Sequence, residues 1–243
     1  MTSTLQEPSR AEVWKMFDKI SSTYDKTNRL MTLGLDLYWR KKVASFLPKK
    51  NSIHLLDCAT GTGDQLLSLL KHSPLTTKIT QAVGIDLSQE MLGLAKNKLK
   101  EKTFDAEVLL EVASALDLPF AKESFDCVTM SFGIRNVLDV NLCLQELYRV
   151  LKPGGKLLIL ETSIPKAALI KKLHLFYLRK VLPRIGGLIS KQKHAYQYLN
   201  QTTETFSCGA AFCEQIKQIG FSKVTCHPLT FGAVSIYEAE KRT

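Results

Sequence analysis

The sequence predicts a single α/β domain built on a mostly parallel sheet, and three observations carry that reading. Residues Leu55-Leu56-Asp57-Cys58-Ala59-Thr60-Gly61-Thr62-Gly63-Asp64 run from an apolar strand into a carboxylate and then a turn with two glycines. Glycine permits a sharp turn and a close approach to a ligand with no Cβ in the way. One strand-helix-strand unit later, Ala82-Val83-Gly84-Ile85-Asp86 ends in a second acid, at the sheet edge where open α/β folds bind ligands and a carboxylate can pair with both hydroxyls of a ribose. Around and beyond these runs, strand-like and helix-like patterns alternate, the order that makes a parallel sheet. The dinucleotide fingerprint G-x-G-x-x-G is not met, because Leu66 stands where its third glycine would fall. The loop therefore points to a nucleoside rather than a pyrophosphate.

In chain order, a helical N-terminal region is expected to about Leu47. Strands fit near 53–58, 81–86, 107–112, 125–132 and 155–161, with helices near 64–71, 88–100 and 139–151 between them. The helix at 64–71 turns its amide-rich N-terminus toward the glycine loop. The helix at 88–100 has Ser88 as its N-cap and Met91, Leu92, Ala95 and Leu99 at helical spacing. A last helix around 208–219 stops at Gly220, and two strand-like runs, 222–229 and 231–238, follow with a break near Pro228 to Gly232. So short a break favours an antiparallel pair.

With 243 residues, 45% of them hydrophobic, the chain can bury a sizeable core as one domain. Met1–Arg10 is polar and precedes no long uncharged span, so neither a signal peptide nor a transmembrane helix is expected, and a cytoplasmic location is. Cys58, Cys127, Cys143, Cys208, Cys213 and Cys226 form no C-x-x-C pair. Buried, reduced thiols are expected rather than disulfides or a metal site.

A second set of motifs is more particular. It comprises Phe17, Tyr24-Asp25, Asn28, Leu30-Met31, Gly34 and Trp39, then Leu118-Pro119-Phe120, Phe125-Asp126 and Ser131-Phe132-Gly133-Ile134-Arg135-Asn136-Val137. Tyr148-Arg149-Val150-Leu151-Lys152-Pro153-Gly154-Gly155, Leu182-Pro183-Arg184-Ile185-Gly186 and Tyr196 to Tyr198-Leu199 follow. With the glycine loop, these resemble, along almost the whole chain, the ubiquinone/menaquinone biosynthesis C-methyltransferases. That family is a branch of the Rossmann-like class I S-adenosylmethionine (SAM)-dependent methyltransferases. The resemblance implies a seven-stranded sheet with its last strand reversed, SAM as methyl donor without a metal, and methylation of a ring carbon of a polyprenyl quinol. Demethylmenaquinol is the expected substrate. The ubiquinone-pathway benzoquinol, or both rings, and a non-catalytic membrane-associated SAM-binding protein stand as alternatives; oligomeric state is left open. The single domain would divide into an N-terminal cap (1–50), a SAM-binding core (51–165), a basic helical lid (166–205) and a C-terminal helix with a strand pair (206–243).

Roles implied by the resemblance can be placed residue by residue. At the cofactor, Asp57 is expected to cap the Gly61–Gly63 turn amides, Asp86 to hold the ribose, and Thr62 and Gly63 to hydrogen-bond the ligand. Ser114 and Ala115 lie beside the adenine, and Ser131 faces the same edge. Relatives usually carry Asn or Asp where Ser114 stands, and often His where Asp36 stands. At the acceptor, Arg135 and Asn136 are expected to stabilise the developing phenolate. Tyr24 and Asp25 would close the N-terminal segment over the cofactor, Asp25 or a water would accept the proton, and Tyr196 would offer a hydroxyl to the quinol.

The net charge of +10 is unevenly spread. From Thr162 to Thr203 there is no Asp or Glu, while Lys166, Lys171, Lys172, Arg179, Lys180, Arg184, Lys191 and Lys193 are basic. Leu169, Ile170, Leu173, Phe176, Tyr177 and Val181 recur there at helical spacing, which predicts a basic amphipathic helix stopped by Pro183 and a Gly186-Gly187 hinge. Two readings stay open: a lid with its apolar stripe packed on the core, or a transient contact with an anionic membrane surface. The pI of 9.3 would also suit RNA, but no aromatic-interleaved basic motif supports a nucleic-acid partner.

Overall fold

The computed structural model describes residues 12–184 and 193–243, with side chains for all of these except 193–197 and 199. Two helices open the chain, α1 (Val13–Met31) and α2 (Leu35–Ala44). Then β1 (Ile53–Cys58), α3 (Asp64–His72), β2 (Ile79–Asp86), α4 (Gln89–Lys100), β3 (Glu107–Val112), β4 (Phe125–Ser131), α5 (Val140–Val150) and β5 (Leu151–Thr162) alternate as predicted. A short 3-10 turn, Ile134–Asn136, leads from β4 toward α5. After β5 come α6 (Ala168–Phe176), α7 (Lys193–Thr205), α8 (Ala210–Ile219), β6 (Ser222–Leu229) and β7 (Val234–Glu240).

The seven strands form one sheet in the order β3-β2-β1-β4-β5-β7-β6. From β3 to β5 the pairing is parallel, with Leu56 opposite Val83 on β2 and Val128 on β4. Strand β7 runs antiparallel to both neighbours, with Tyr237 opposite Ile159 and Cys226. The reversed strand expected from the resemblance is therefore present. Alternation along each strand splits the core between the two faces. Leu56, Val128, Met130 and Ile159 pack with α5 and α8 residues such as Leu147 and Phe212. Leu55, Cys127, Leu158 and Leu160 pack with Trp39 and Val43 of α2 and Leu66 and Leu69 of α3. Strand β4 is buried at every residue, as a central strand covered on both sides must be.

Several boundaries depart from the sequence reading, and β7 runs over Val234–Glu240 rather than 231–238 because Thr230–Gly232 forms a 3-10 turn. Strand β2 starts two residues early, at Ile79. Strand β5 takes in the Pro153-Gly154-Gly155 turn, because Gly154 N–H donates to the Lys241 carbonyl (3.0 Å) and Gly155 O accepts from Lys241 N–H (2.9 Å), tying the turn to the chain beyond β7. The basic helix is not one uniform α-helix: after Phe176 it passes into a π-helical turn, Tyr177–Val181. A wider turn rotates the faces. Leu169, Leu173 and Phe176 point to solvent, whereas Leu178 and Leu182 pack on Ile20 and Met31 of α1. The Gly186-Gly187 hinge lies outside the described residues.

At the carboxyl edge, β1 and β4 end in paired irregular turns. Ala59 and Phe132 both have left-handed backbone (φ 51° and 58°), and Gly133 lies so close to the first turn that a Cβ there would sit 2.7 Å from the Ala59 Cβ. Neither methyl can swing away. Gly133→Ala should therefore cost about 1–3 kcal/mol in denaturant unfolding. Adding Ala59→Gly should recover most of that loss, since it removes the opposing methyl and the left-handed strain together; a double variant as unstable as Gly133→Ala alone would refute this account.

Candidate active site

Two cavities open at this edge. The first, of about 320 Å³, is lined by Ala59 and Gly61 of the glycine turn, Asp86 and Leu87 after β2, Ala113 to Leu116 after β3, and Ser131 to Gly133 with Asn136. Helix α1 roofs it with Val13, Trp14, Phe17 and Tyr24. Asp86 accepts from Gly61 N–H (2.8 Å) and Ser88 N–H (2.9 Å), and burial pushes its carboxyl above the usual range despite those bonds. Ser88 also caps α4 through Met91 N–H, as predicted. The Ser131 hydroxyl donates to Gln65 Oε1 (2.9 Å), and Ser114 Oγ accepts from Leu116 N–H (3.1 Å). Asn136 donates from Nδ2 to the Phe132 carbonyl (3.3 Å), leaving its buried Oδ1 without a partner among the described residues.

The second cavity, of about 290 Å³, lies on the far side of Tyr24 and Phe132, the two residues that line both. Its wall takes Asp36, Trp39 and Arg40 from α2, Arg135 from the 3-10 turn, His174 and Tyr177 from the basic segment, and Asn200 and Thr203 from α7. Trp39 Nε1 donates to Thr230 Oγ1 (2.8 Å). Arg135 is buried, and its guanidinium bonds the wholly buried Glu161 at the end of β5 and the Phe132 carbonyl (3.1 Å). Its Nε keeps no partner among the described residues. The buried Arg40 guanidinium stacks on the Phe132 ring at 5.2 Å, and no salt bridge to it occurs among the described residues, its Nε too being unpartnered. Burial pushes the Tyr24 phenol up, with Arg40, an Asn28 hydrogen bond and Arg135 pulling the other way. A neutral hydroxyl thus stands between the cavities.

Several expected roles are corrected by these contacts. Asp57 does not cap the turn amides: its buried carboxylate accepts from the Thr60 hydroxyl (2.7 Å) and the Thr129 hydroxyl (2.6 Å), burial raises its pKa to about 6, and the Gly61 amide goes to Asp86 instead. Thr62 gives its hydroxyl to Asp25 (2.7 Å) and Gly63 packs against α4, where a Cβ would meet the Ala95 Cβ at 3.0 Å; neither lines a cavity. Asp25, also held by Lys98 (2.5 Å), lines neither cavity and is ill placed to take a proton. Asn136 faces the first cavity rather than the second. Ser114, Ala115, Ser131, Gly61 and Asp86 do converge on the first, and Tyr24 and Arg135 reach the second. Tyr196 sits on α7, but its side chain falls outside the described residues.

The sequence profile of the ubiE/COQ5 methyltransferase family matches residues 4–241. The chain belongs to that family. It is 41% identical over 230 residues to a ubiquinone/menaquinone biosynthesis C-methyltransferase UbiE of Geotalea daltonii, covering 95% of this chain and 96% of that one. It is 40% identical over 243 residues to a demethylmenaquinone methyltransferase of Chlorobaculum parvum, covering 98% and 96%. A solved SAM-dependent methyltransferase of Thermotoga maritima shares the fold, with a TM-score of 0.65 at 19% identity, covering 95% of this chain and 100% of that one.

For a methyltransferase of this family, the first cavity fits SAM. Asp86 and the unpartnered Asn136 Oδ1 are acceptors, suited to a ligand that brings ribose hydroxyls and an ammonium, and Leu87, Met91 and Leu116 give an apolar wall. The sequence reading expected the N-terminal cap to close over the cofactor through Tyr24, but it did not place Val13 and Trp14 in that roof, and it missed Arg40, Glu161 and His174. Asp86→Ala should weaken SAM by about 2–4 kcal/mol in calorimetry, since charged-acceptor hydrogen bonds to the ribose are lost, and a folded variant with wild-type affinity would remove Asp86 from the cofactor site.

Proposed function

We propose that this chain methylates a ring carbon of a polyprenyl quinol, demethylmenaquinol to menaquinol, with SAM in the first cavity and the quinol ring in the second. The supporting observation is the shared wall: only where two cavities touch can a methyl pass from sulfur to carbon without leaving the protein, in the in-line geometry that transfer needs. SAM supplies the electrophilic methyl. Ring carbon is a poor nucleophile until a neighbouring hydroxyl ionises, and with a phenol pKa of about 10 that costs roughly 4 kcal/mol at pH 7. The protein must lower this cost by presenting donors or charge where the phenolate forms.

Two arginines face that task differently. Arg135 is neutralised by Glu161, so it serves as a fixed donor through its spare Nε and as the prop of the Phe132 carbonyl. Arg40 makes no salt bridge among the described residues, although its charge reaches Asp64 and Asp57, and it lies over the Phe132 ring, which makes it the stronger stabiliser of the phenolate. Tyr24 adds a neutral hydroxyl at the point of transfer. The ubiquinone-pathway ring remains the second substrate reading, favoured by the naming of the Geotalea daltonii relative for both quinones.

The substrate's polyprenyl tail calls for a lipid surface, and the basic segment supplies one. Leu173 and Phe176 are each 61% exposed and Leu169 is 71% exposed, on one helix face at intervals of four and three. The packed-lid reading placed that stripe in the core. Lys166, Lys171, Lys172 and Lys180 are exposed beside it, while Arg179 is spent on Glu204 (2.9 Å), one residue beyond the acid-free stretch. No described helix is long and apolar enough to cross a membrane. The protein would dock peripherally, from the cytoplasmic side, with the mouth of the second cavity toward lipid.

The activity is tested by incubating the purified protein with SAM and short-tailed demethylmenaquinol or 2-prenyl-6-methoxy-1,4-benzoquinol analogues under reducing conditions; methylation of neither would refute the reading. Arg40→Met should lower turnover about a hundredfold, near 3 kcal/mol, with SAM affinity kept, and an undiminished single-turnover rate would dismiss Arg40. Changing Lys166, Lys171, Lys172 and Lys180 to Gln should reduce binding to anionic vesicles by some 2–4 kcal/mol, at ~1 kcal/mol per charge near the surface. Activity on a water-soluble analogue should persist, and equal vesicle binding at low salt would return the segment to a solvated role.

A further inference from the structure

Among the described residues, His174 is the one imidazole in the wall of the second cavity. It lies in the last turn of α6, where its neighbours Leu173 and Phe176 turn outward, yet its Nε2 is buried and has no hydrogen-bond partner among the described residues. A buried polar atom without a partner is costly and therefore uncommon, and at a cavity wall the cost is recovered when a ligand brings the missing hydrogen. We propose that His174 is the proton acceptor of the reaction, taking the quinol hydroxyl proton on Nε2. This rests on the quinol reading above, and it fills the role from which Asp25 is excluded by its bonds to Thr62 and Lys98.

The surroundings of His174 suit a base. The titratable and charged groups on the same cavity are Tyr24 on α1, Asp36 and Arg40 on α2, Arg135 on the 3-10 turn and Tyr177 beside it. Asp36 is already bound to Arg29 and to the Thr32 hydroxyl (2.8 Å), and Arg135 to Glu161. Tyr177 donates its own hydroxyl to the Met31 carbonyl. None of these can accept a proton as readily as a neutral imidazole. Burial pushes the His174 pKa below its ordinary 6.5, so near neutral pH the ring is uncharged, and with its hydrogen on Nδ1 the Nε2 lone pair can take the proton.

The step balances without a further reagent. The hydroxyl O–H bond breaks, its proton goes to Nε2, and the electron pair left on oxygen is shared into the ring. A ring carbon then bonds the methyl as the methyl–sulfur bond breaks, with that pair staying on sulfur. Loss of the ring hydrogen as a proton restores aromaticity, and the imidazolium returns its proton to the oxygen. One proton is released per turnover.

His174→Gln keeps a polar side chain of similar reach but cannot take the proton. It should lower kcat by at least a hundredfold, remove the fall of kcat on the acid side below about pH 6.5 that His174 protonation gives the wild type, and lose less activity as the pH approaches about 10, where the quinol ionises unaided. SAM affinity by calorimetry should be unchanged. A variant within threefold of wild type, or one equally slow at every pH with its acid limb intact, would overturn the proposal. Wild-type protein that methylates no demethylated quinol would instead overturn the functional reading, so the two failures are separate.

Discussion

Everything at the active edge depends on one short stretch of strained backbone, the turn at Phe132 and Gly133. With Phe132 in left-handed conformation, its N–H bonds the Leu160 carbonyl at 2.7 Å, its carbonyl turns to receive Arg135 and Asn136, and its ring becomes the partition between two cavities. A non-glycine residue in that conformation costs on the order of 1 kcal/mol or more and persists only when its surroundings over-determine it. Here they do: Gly133 is locked against Ala59, and the Phe132 ring is gripped between Trp39 (centroids 6.2 Å apart) and Arg40. The same turn therefore sets the thickness of the wall between the two cavities.

Charge follows from that geometry. Burying Arg135 beside Glu161 removes two charges from water, which gains little net stability but fixes a donor array in one orientation. Glu161 is tied further by Thr162 N–H at 2.7 Å, so the pair cannot rotate as a substrate arrives. Arg40, by contrast, meets an aromatic face instead of a carboxylate. An arginine hydrogen-bonded to an acid organises a site, whereas Arg40, which reaches Asp64 and Asp57 only through space, keeps its guanidinium toward the cavity.

Much of the fold was legible because it is written in local patterns. The run from Leu55 to Asp64, the Ser88 cap, the buried β4 and the reversed C-terminal pair are all decided by residue type and spacing within a dozen positions. The acid at the end of β2 was legible for the same reason. What was hidden depends on partners distant in sequence: Asp57 is claimed by Thr129, Thr62 by Asp25, Gly63 by Ala95 and Arg135 by Glu161, and no single-sequence spacing reports such pairings. The outward turn of Leu173 and Phe176 was hidden by the π-helical turn that follows them, since a regular period of 3.6 assigns all the apolar residues one face. The cavity position of His174 was hidden in the same way, since it depends on α1, α2 and α7, which come from distant parts of the chain.

The attachment of α1 has a kinetic meaning. This helix covers the cofactor cavity, yet it is tethered over the glycine loop largely by polar links: Asp18 to Ser88, Asp25 to Thr62 and Lys98, and Arg29 to Asp64 at 2.5 Å. Partly exposed links of this kind are individually weak, about 0–1 kcal/mol, and each can be exchanged for water as it opens. A roof sealed by a continuous apolar interface would have to expose all of it at once, whereas α1 can peel away one contact at a time. Leu178 and Leu182 meanwhile pack on Ile20 and Met31 of the same helix.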